Sequence, residues 1–430
     1  MKNFRWWPVF GLTAVAVALT GCGDGGSGNA SVRVANATLT HPSLELIVNS
    51  VTSVTAVTTD TVSAYVTPSS GSVTLQVNDN GGTTALNTTV PTLTGSDHYT
   101  LVAYETGGAV AVQLVGEDLV LPAAGVTTLR IYNDAVSAGA IDIYLTSLPC
   151  TTANLTGLTP TYNFVASTAP QALAQAVGSG TYNICVTGSG SKTDLRLSYP
   201  VVFTTATVAN VLLTPASGGL LLNGSLLVQQ GDYSAVRNTN ARVRLAGAVS
   251  ASATVAVSSS DGTVIDDGSV APSFGVYTLV PATSTLNITV NGSSVAAPAT
   301  SLAVGADMTV LVWGEVGSPV ASLLTDDNVP PTDPTTTKLR LINGITGSSG
   351  TLTLAANNSA IASGIAGGAA SPYGTTVVNT NSNTASLQLI SSTAGTFAAI
   401  SQALLVDATY SVLAGGDLST AGAIPQMLIR

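Results

Sequence analysis

Charged side chains are scarce in this sequence. Only 8% of its 430 residues are Asp, Glu, Lys or Arg, against about a quarter in ordinary soluble domains. That shortage speaks against exposed helices, whose outer faces draw on Lys, Glu and Arg. Positive charge is scarcest, with 12 Lys and Arg against 22 Asp and Glu. A nucleic-acid partner needs a basic stripe to displace counterions, so nucleic acid is excluded. Histidine occurs only at His41 and His98 and cysteine only at Cys22, Cys150 and Cys185. Imidazole-based catalysis and zinc ligation therefore have little to work with. What remains is apolar and β-branched: 45% of residues are hydrophobic, and Thr and Val abound. Such residues argue against disorder and fit a pleated, half-buried surface. Composition favours an all-β chain.

The N-terminus reads as an address. Lys2 and Arg5 precede an apolar stretch over residues 9–19, too short to span a bilayer as a stable helix. A positive start, a short apolar core and small residues before a cut describe a signal peptide. Leu19-Thr20-Gly21-Cys22 resembles the bacterial lipobox, followed by a Gly/Ser-rich tether. The resemblance implies cleavage before Cys22 and acylation of its thiol and new amino terminus, a membrane anchor by palmitate-like chains. Asp24 stands third rather than second after the cut, so the outer membrane is the expected destination, either face. Cleavage also removes Lys2 and Arg5, leaving ten basic against 22 acidic side chains. Outside the cytoplasm the remaining pair, Cys150 and Cys185, is expected to form a disulfide.

The rest of the chain repeats one plan. An apolar-Arg-apolar triplet recurs at Val32-Arg33-Val34, Leu129-Arg130-Ile131, Val243-Arg244-Leu245 and Leu339-Arg340-Leu341. Three positions after each Arg stand Asn36, Asn133, Gly247 and Asn343, turn formers that should end the strand. Alternating runs then open at Leu44, Ile141, Val255 and Leu352, the mark of half-buried strands. The last strand of the second copy is placed at Thr207 to Leu213, and Pro170 to Ala176 reads as the one plausible short helix.

Units of about 100 residues with short strands and turn signals fit two-sheet sandwiches. The expected fold is all-β: tandem immunoglobulin-like β-sandwich domains after a lipoprotein signal peptide. Its segments are a signal peptide over 1–21, a flexible tether over 22–30, and sandwiches over 31–127, 128–240, 241–335 and 336–430. They are pictured as beads on a short string, the last joint stiffened by the prolines of residues 330–334.

The triplet-plus-Asn start, the Ile141-Asp142-Ile143-Tyr144 strand and the Asp-Asp-Asn joint before Leu339 resemble the domain-of-unknown-function 4397 family. That family occurs in secreted and lipid-anchored proteins, often in tandem. The resemblance implies a β-sandwich outside the cytoplasm and supplies no catalytic residues.

Asp97 adjoins His98, but strand neighbours point to opposite faces, so both histidines are read as solvated and a hydrolase as the least favoured function. Residues 188–193, Gly-Ser-Gly-Ser-Lys-Thr, imitate a phosphate loop but lack the Gly before Lys192 and a following helix. A surface hairpin turn is expected there. Asp326, Asp327 and Asp333 are weak candidates for calcium, which needs six to eight oxygens. Arg33, Arg130, Arg244 and Arg340 are four of only nine arginines. They are expected to face outward and tie loop groups with their guanidinium forks. Trp313 is expected to pack rather than to present a sugar platform. No cofactor is implied. The function read from these features is non-catalytic: a lipid-anchored envelope protein with a structural or adhesive role toward a surface protein, or alternatively a glycan- or cell-wall-binding module.

Overall fold

The computed structural model describes residues 28–216, 220–347, 350–379, 382–419 and 423–430. Over these the chain is almost wholly β, as composition leads one to expect, with a single four-residue helix, Thr152–Leu155, and one 3-10 turn, Val136–Ala138. Cys22 and the leader lie outside the described residues. Among those described, no helix is long and apolar enough to cross a membrane.

Each Arg triplet opens a strand that pairs in parallel with a strand far along the chain. Ser31–Asn36 lies beside His98–Thr106, and Val126–Asn133 beside Thr207–Pro215. Asn240–Val249 lies beside Asp307–Gly314, and Thr336–Thr346 beside Ala408–Asp417. Each such sheet is faced by a second one. In the first unit the facing sheet runs Val51–Thr58, Ser43–Val48, Leu75–Asp79, Ala85–Thr89. Val32, Val34, Leu44, Leu46, Leu75 and Val77 fill the space between the two sheets. Three further cores of the same kind follow, around Ile131 and Ile143, around Leu245 and Val257, and around Leu341 and Leu354. Period-two alternation explains the arrangement: Val32 and Val34 point into their core, so Arg33 must point away from it.

The side away from the core is not solvent. Arg33, Arg244 and Arg340 are 5%, 3% and 2% exposed, which corrects the expectation that they face outward. The parallel-paired sheet of the first unit packs against that of the second through Ala35, Ala37, Val102, Tyr104, Tyr132 and Leu212. Ala246, Ala248, Leu311, Ile342 and Leu413 do the same between the third and fourth. Small residues allow this approach, since a methyl group added at Gly344 would collide with the Cβ of Ala248. Sheets so poor in charge have much to gain from covering one another. Beads on a string is therefore replaced by face-to-face pairs.

Three further expectations change. Gln171–Gly178, read as helix from its Ala, Leu and Gln, is a strand paired along its full length with Val126–Asn133. Tertiary pairing overrides local propensity there. Asn36 and Asn133 do end their strands, but the third and fourth opening strands run through Gly247 and Asn343 to Val249 and Thr346. Thr207–Pro215 is a strand, paired in parallel with Val126–Asn133, but it is not the last of the second unit, since Leu222–Val228 and Tyr233–Val236 extend the same sheet beyond it. The Lys192 motif lies in the hairpin between Gly180–Gly188 and Leu195–Phe203, as expected.

Cys150 and Cys185 form the expected disulfide, closing a loop with a sequence separation of 35. It ties the segment after Ile141–Thr146 to the centre of the facing sheet, where Tyr144 and Leu155 pack against it. Reduction should lower the stability of the second unit by about 4 kcal/mol, the loop-entropy figure for such a closure. Urea unfolding with and without reductant measures it, and coincident curves would show the bridge to be without weight.

Candidate functional site

The recurrent arginines lie in polar networks between the units. Each stands directly across the parallel ladder from a small polar residue: Arg33 from Thr100, Arg130 from Asn210, Arg244 from Thr309, Arg340 from Ser411. Both members of each pair point away from their own core, toward the neighbouring unit.

At the joint of the third and fourth units the pairs interlock. Arg244 donates from Nε to Thr309 Oγ1 at 3.0 Å and from Nη2 to Ser411 Oγ of the fourth unit at 2.9 Å. Arg340 donates from Nε to Ser411 Oγ at 2.9 Å and from Nη2 to Thr309 Oγ1 of the third at 3.4 Å. Asp326, fully buried, closes the network: it pairs with Arg340, lies 3.4 Å from Arg244, and accepts from Thr309 Oγ1 at 2.6 Å and from Tyr277. Aromatic rings cover both guanidinium groups, Phe274 and Tyr277 over Arg244 at 4.3 and 4.4 Å and Tyr373 over Arg340 at 5.0 Å. Such stacking adds cation–π attraction where water is excluded.

The first joint repeats half of this. Arg33 bonds Thr100 at 2.8 Å and pairs with the buried Glu117 at 2.8 Å, and Tyr65 lies over it at 4.7 Å and donates to Glu117 at 3.0 Å. The remaining guanidinium nitrogen reaches the Gly231 carbonyl of the second unit at 2.8 Å. Arg130 is half-buried, bonds the Gly116 carbonyl at 3.1 Å and packs on Tyr132. Sequence reading missed that acids and tyrosines partner these arginines, yet a signal existed: Thr100 to Glu117 and Thr309 to Asp326 are both 17 positions.

A cleft of about 700 Å³ opens where the second, third and fourth units meet. Ser189, Ser191, Thr193, Tyr277, Asn328 and Thr409 are among the residues lining it. Arg242 and Asp194 stand at its wall. Arg242 holds Asp307 by two bonds of 2.7 and 2.6 Å and also pairs with Asp194. Burial alone would raise the Asp194 carboxyl, but Arg196 and Arg242 hold it below the ordinary carboxylate range.

The fold takes the calcium candidates apart. Asp326 is sequestered by arginines, Asp327 pairs with Lys338 at 2.8 Å, and exposed Asp333 accepts from Thr335. Among the described residues no three His, Cys, Asp or Glu groups converge as metal ligands. Neither histidine is simply solvated: His41 pairs with Asp79 at 2.8 Å, and His98 with Asp118, not Asp97, at 3.0 Å. Asn36 and Asn343 use their amides to fix the turns beside them, bonding the Val57 and Ile365 carbonyls. The Oδ1 of buried Asn133 has no protein partner. At Gly247 an added Cβ would lie 2.7 Å from the Ser273 hydroxyl, so a side chain there requires Ser273 to turn away. Trp313 packs onto Gly367 and Gly368 of the fourth unit, so it serves the joint.

Residues 30–144 match the model of the Domain of unknown function DUF4397. The match takes in the first unit and the first two strands of the second, and bears out the family resemblance there. No curated protein matches the chain. Among solved structures it is similar to a family 26 carbohydrate-binding module from Eubacterium rectale in complex with maltoheptaose, at 12% identity and a TM-score of 0.17, covering 48% of this chain and 96% of that one. It is also similar to a candidate cell adhesion protein from Bacteroides uniformis (13%, TM-score 0.18, 47% and 99% covered) and to the TIE protein of Bacillus anthracis (9%, 0.14, 87% and 66%).

Proposed function

We propose that this chain is an exported, lipid-anchored envelope protein whose four sandwich units, over 31–127, 128–240, 241–335 and 336–430, form a stiff, non-catalytic arm with a structural or adhesive role. The observation that carries this reading is the use made of the recurrent arginines. They are engaged in hydrogen bonds and ion pairs at the faces between units, most of them buried. What repeats along the chain is a joint, and a joint repeated in this way resists bending. The anchor is Cys22, seven positions before Asn29, the first bridged residue among those described, and the outer membrane is its proposed home. Cys22→Ala should abolish labelling by radioactive palmitate and release the protein from the membrane fraction. Retention and labelling equal to the parent's would end the anchored reading.

A glycan-binding role is the second reading. It is favoured by the five hydroxyl side chains and the Asn328 amide that line the 700 Å³ cleft, since saccharide hydroxyls are held through a few placed polar groups. A glycan array probed with the purified protein tests it, and a blank array at high protein concentration removes it.

A further inference from the structure

We propose that the outer edge of the strand Gln171–Gly178 pairs with the same strand of a second copy of this chain. The strand is the last of its five-stranded sheet. Its register with Val126–Asn133 is unbroken from Val126 opposite Gly178 to Asn133 opposite Gln171. In an antiparallel ladder alternate residues direct N–H and C=O away from the partner. Among the described residues no other strand pairs with that outer side. The side chains are as open as the backbone: Ala172 to Ala176 and Gly178 are exposed, with Leu173 at 40%.

Natural sheets protect such an edge with Lys, Pro, a bulge or brevity. None of these is present here. No charged residue occurs from 143 to 191, and no proline within the strand. The other three units each blunt the corresponding edge. The first has only the isolated bridges Asn29 to Ser69, Val32 to Val66 and Ala35 to Val62. In the third it is split into Ser273–Phe274 and Thr278–Pro281, and in the fourth it is reduced to Gly374–Val377 and one bridge. Only the second unit keeps eight residues in line.

The strand's own sequence selects a second copy as the occupant. Antiparallel pairing about a two-fold axis at Ala174 sets Ala172 against Ala176 and Leu173 against Gln175 in both directions. Small residues meet small residues, and no like charges are brought together. A two-fold contact of this kind is self-complementary and closes at a dimer. Ala, Gln and Leu are weak strand formers, so a second ladder would also secure a strand now held from one side. The inference does not depend on acylation of Cys22.

The test uses the full-length mature chain, in detergent if it proves lipidated. Light scattering should give twice the monomer mass. Ala174→Lys places two ammonium groups at the axis and should return the monomer, with the circular dichroism and melting point of the parent. On whole cells Ala174→Cys should yield a disulfide-linked dimer on non-reducing gels, whereas Val120→Cys, 92% exposed in the parent, should not. A parent that stays monomeric at high concentration overturns the proposal. So does a dimer indifferent to Ala174→Lys, or a cross-link from position 174 to a different protein.

Discussion

Asp326→Ala is expected to lower the stability of the third and fourth units by about 5 kcal/mol, the upper end of the range for breaking a buried ion pair. The size follows from what is left behind. Asp326 is 2% exposed and is the shared anion of Arg244 and Arg340, themselves 3% and 2% exposed. Its removal leaves two guanidinium groups under aromatic rings with no carboxylate, and strips Tyr277 and Thr309 of an acceptor. Asp326→Asn should lie between, keeping acceptor geometry without the charge. Trp313 reports the transition, because it is the only tryptophan after residue 7 and sits in this joint. Added salt should not imitate the mutation, since a buried pair is screened little. An unchanged urea midpoint for the alanine variant would mean that the network follows from the fold without supporting it.

Asp134→Ala should act in the opposite direction, stabilising the joint of the first two units at neutral pH. Asp134 follows the signature Asn133, in the place held by Ala37, Ala248 and Gly344 in the other units. It is 1% exposed, neither carboxyl oxygen has a protein partner, and the ionisable groups that feel its charge are Tyr104 and Tyr132. Burial lifts its pKa from 3.8 to about 7. Between those values the folded chain holds a proton that the unfolded chain has released, so stability falls as pH rises from about 4 to about 7. Three pH units correspond to about 4 kcal/mol, the gain expected for Asp134→Ala at pH 8, with little gain at pH 4. Denaturant unfolding at both values decides it. Equal stabilisation at the two pH values would mean that the carboxyl ionises in the fold as readily as in the unfolded chain, so that burial does not shift it.

Much of the architecture was legible because alternation is a local property. Val32 and Val34 on one side and Arg33 on the other follow from the pleat alone, and so does the recurrence of that triplet. The disulfide was legible because only two cysteines remain beyond Cys22. Alternation is silent about what lies on the far side of a sheet, however. Arg340 reads the same whether its guanidinium meets water or Asp326, and Asp326 reads the same as a calcium ligand or a counter-ion. Gln171–Gly178 was misread for a related reason. Its residues favour helix, and the ladder that overrides them comes from Val126–Asn133, whose residues lie 38 to 52 positions before their partners.

Order along the chain thus sufficed to define strands and their inward faces, which depend on neighbours two to twelve positions apart, and the recurrence of one local pattern about every hundred residues. The burial of the arginines, the stranded carboxyl of Asp134 and the open edge at Gln171–Gly178 were decided only by the packed structure. Each of these depends on which surface another unit covers, and that is set by contacts between segments far apart in sequence.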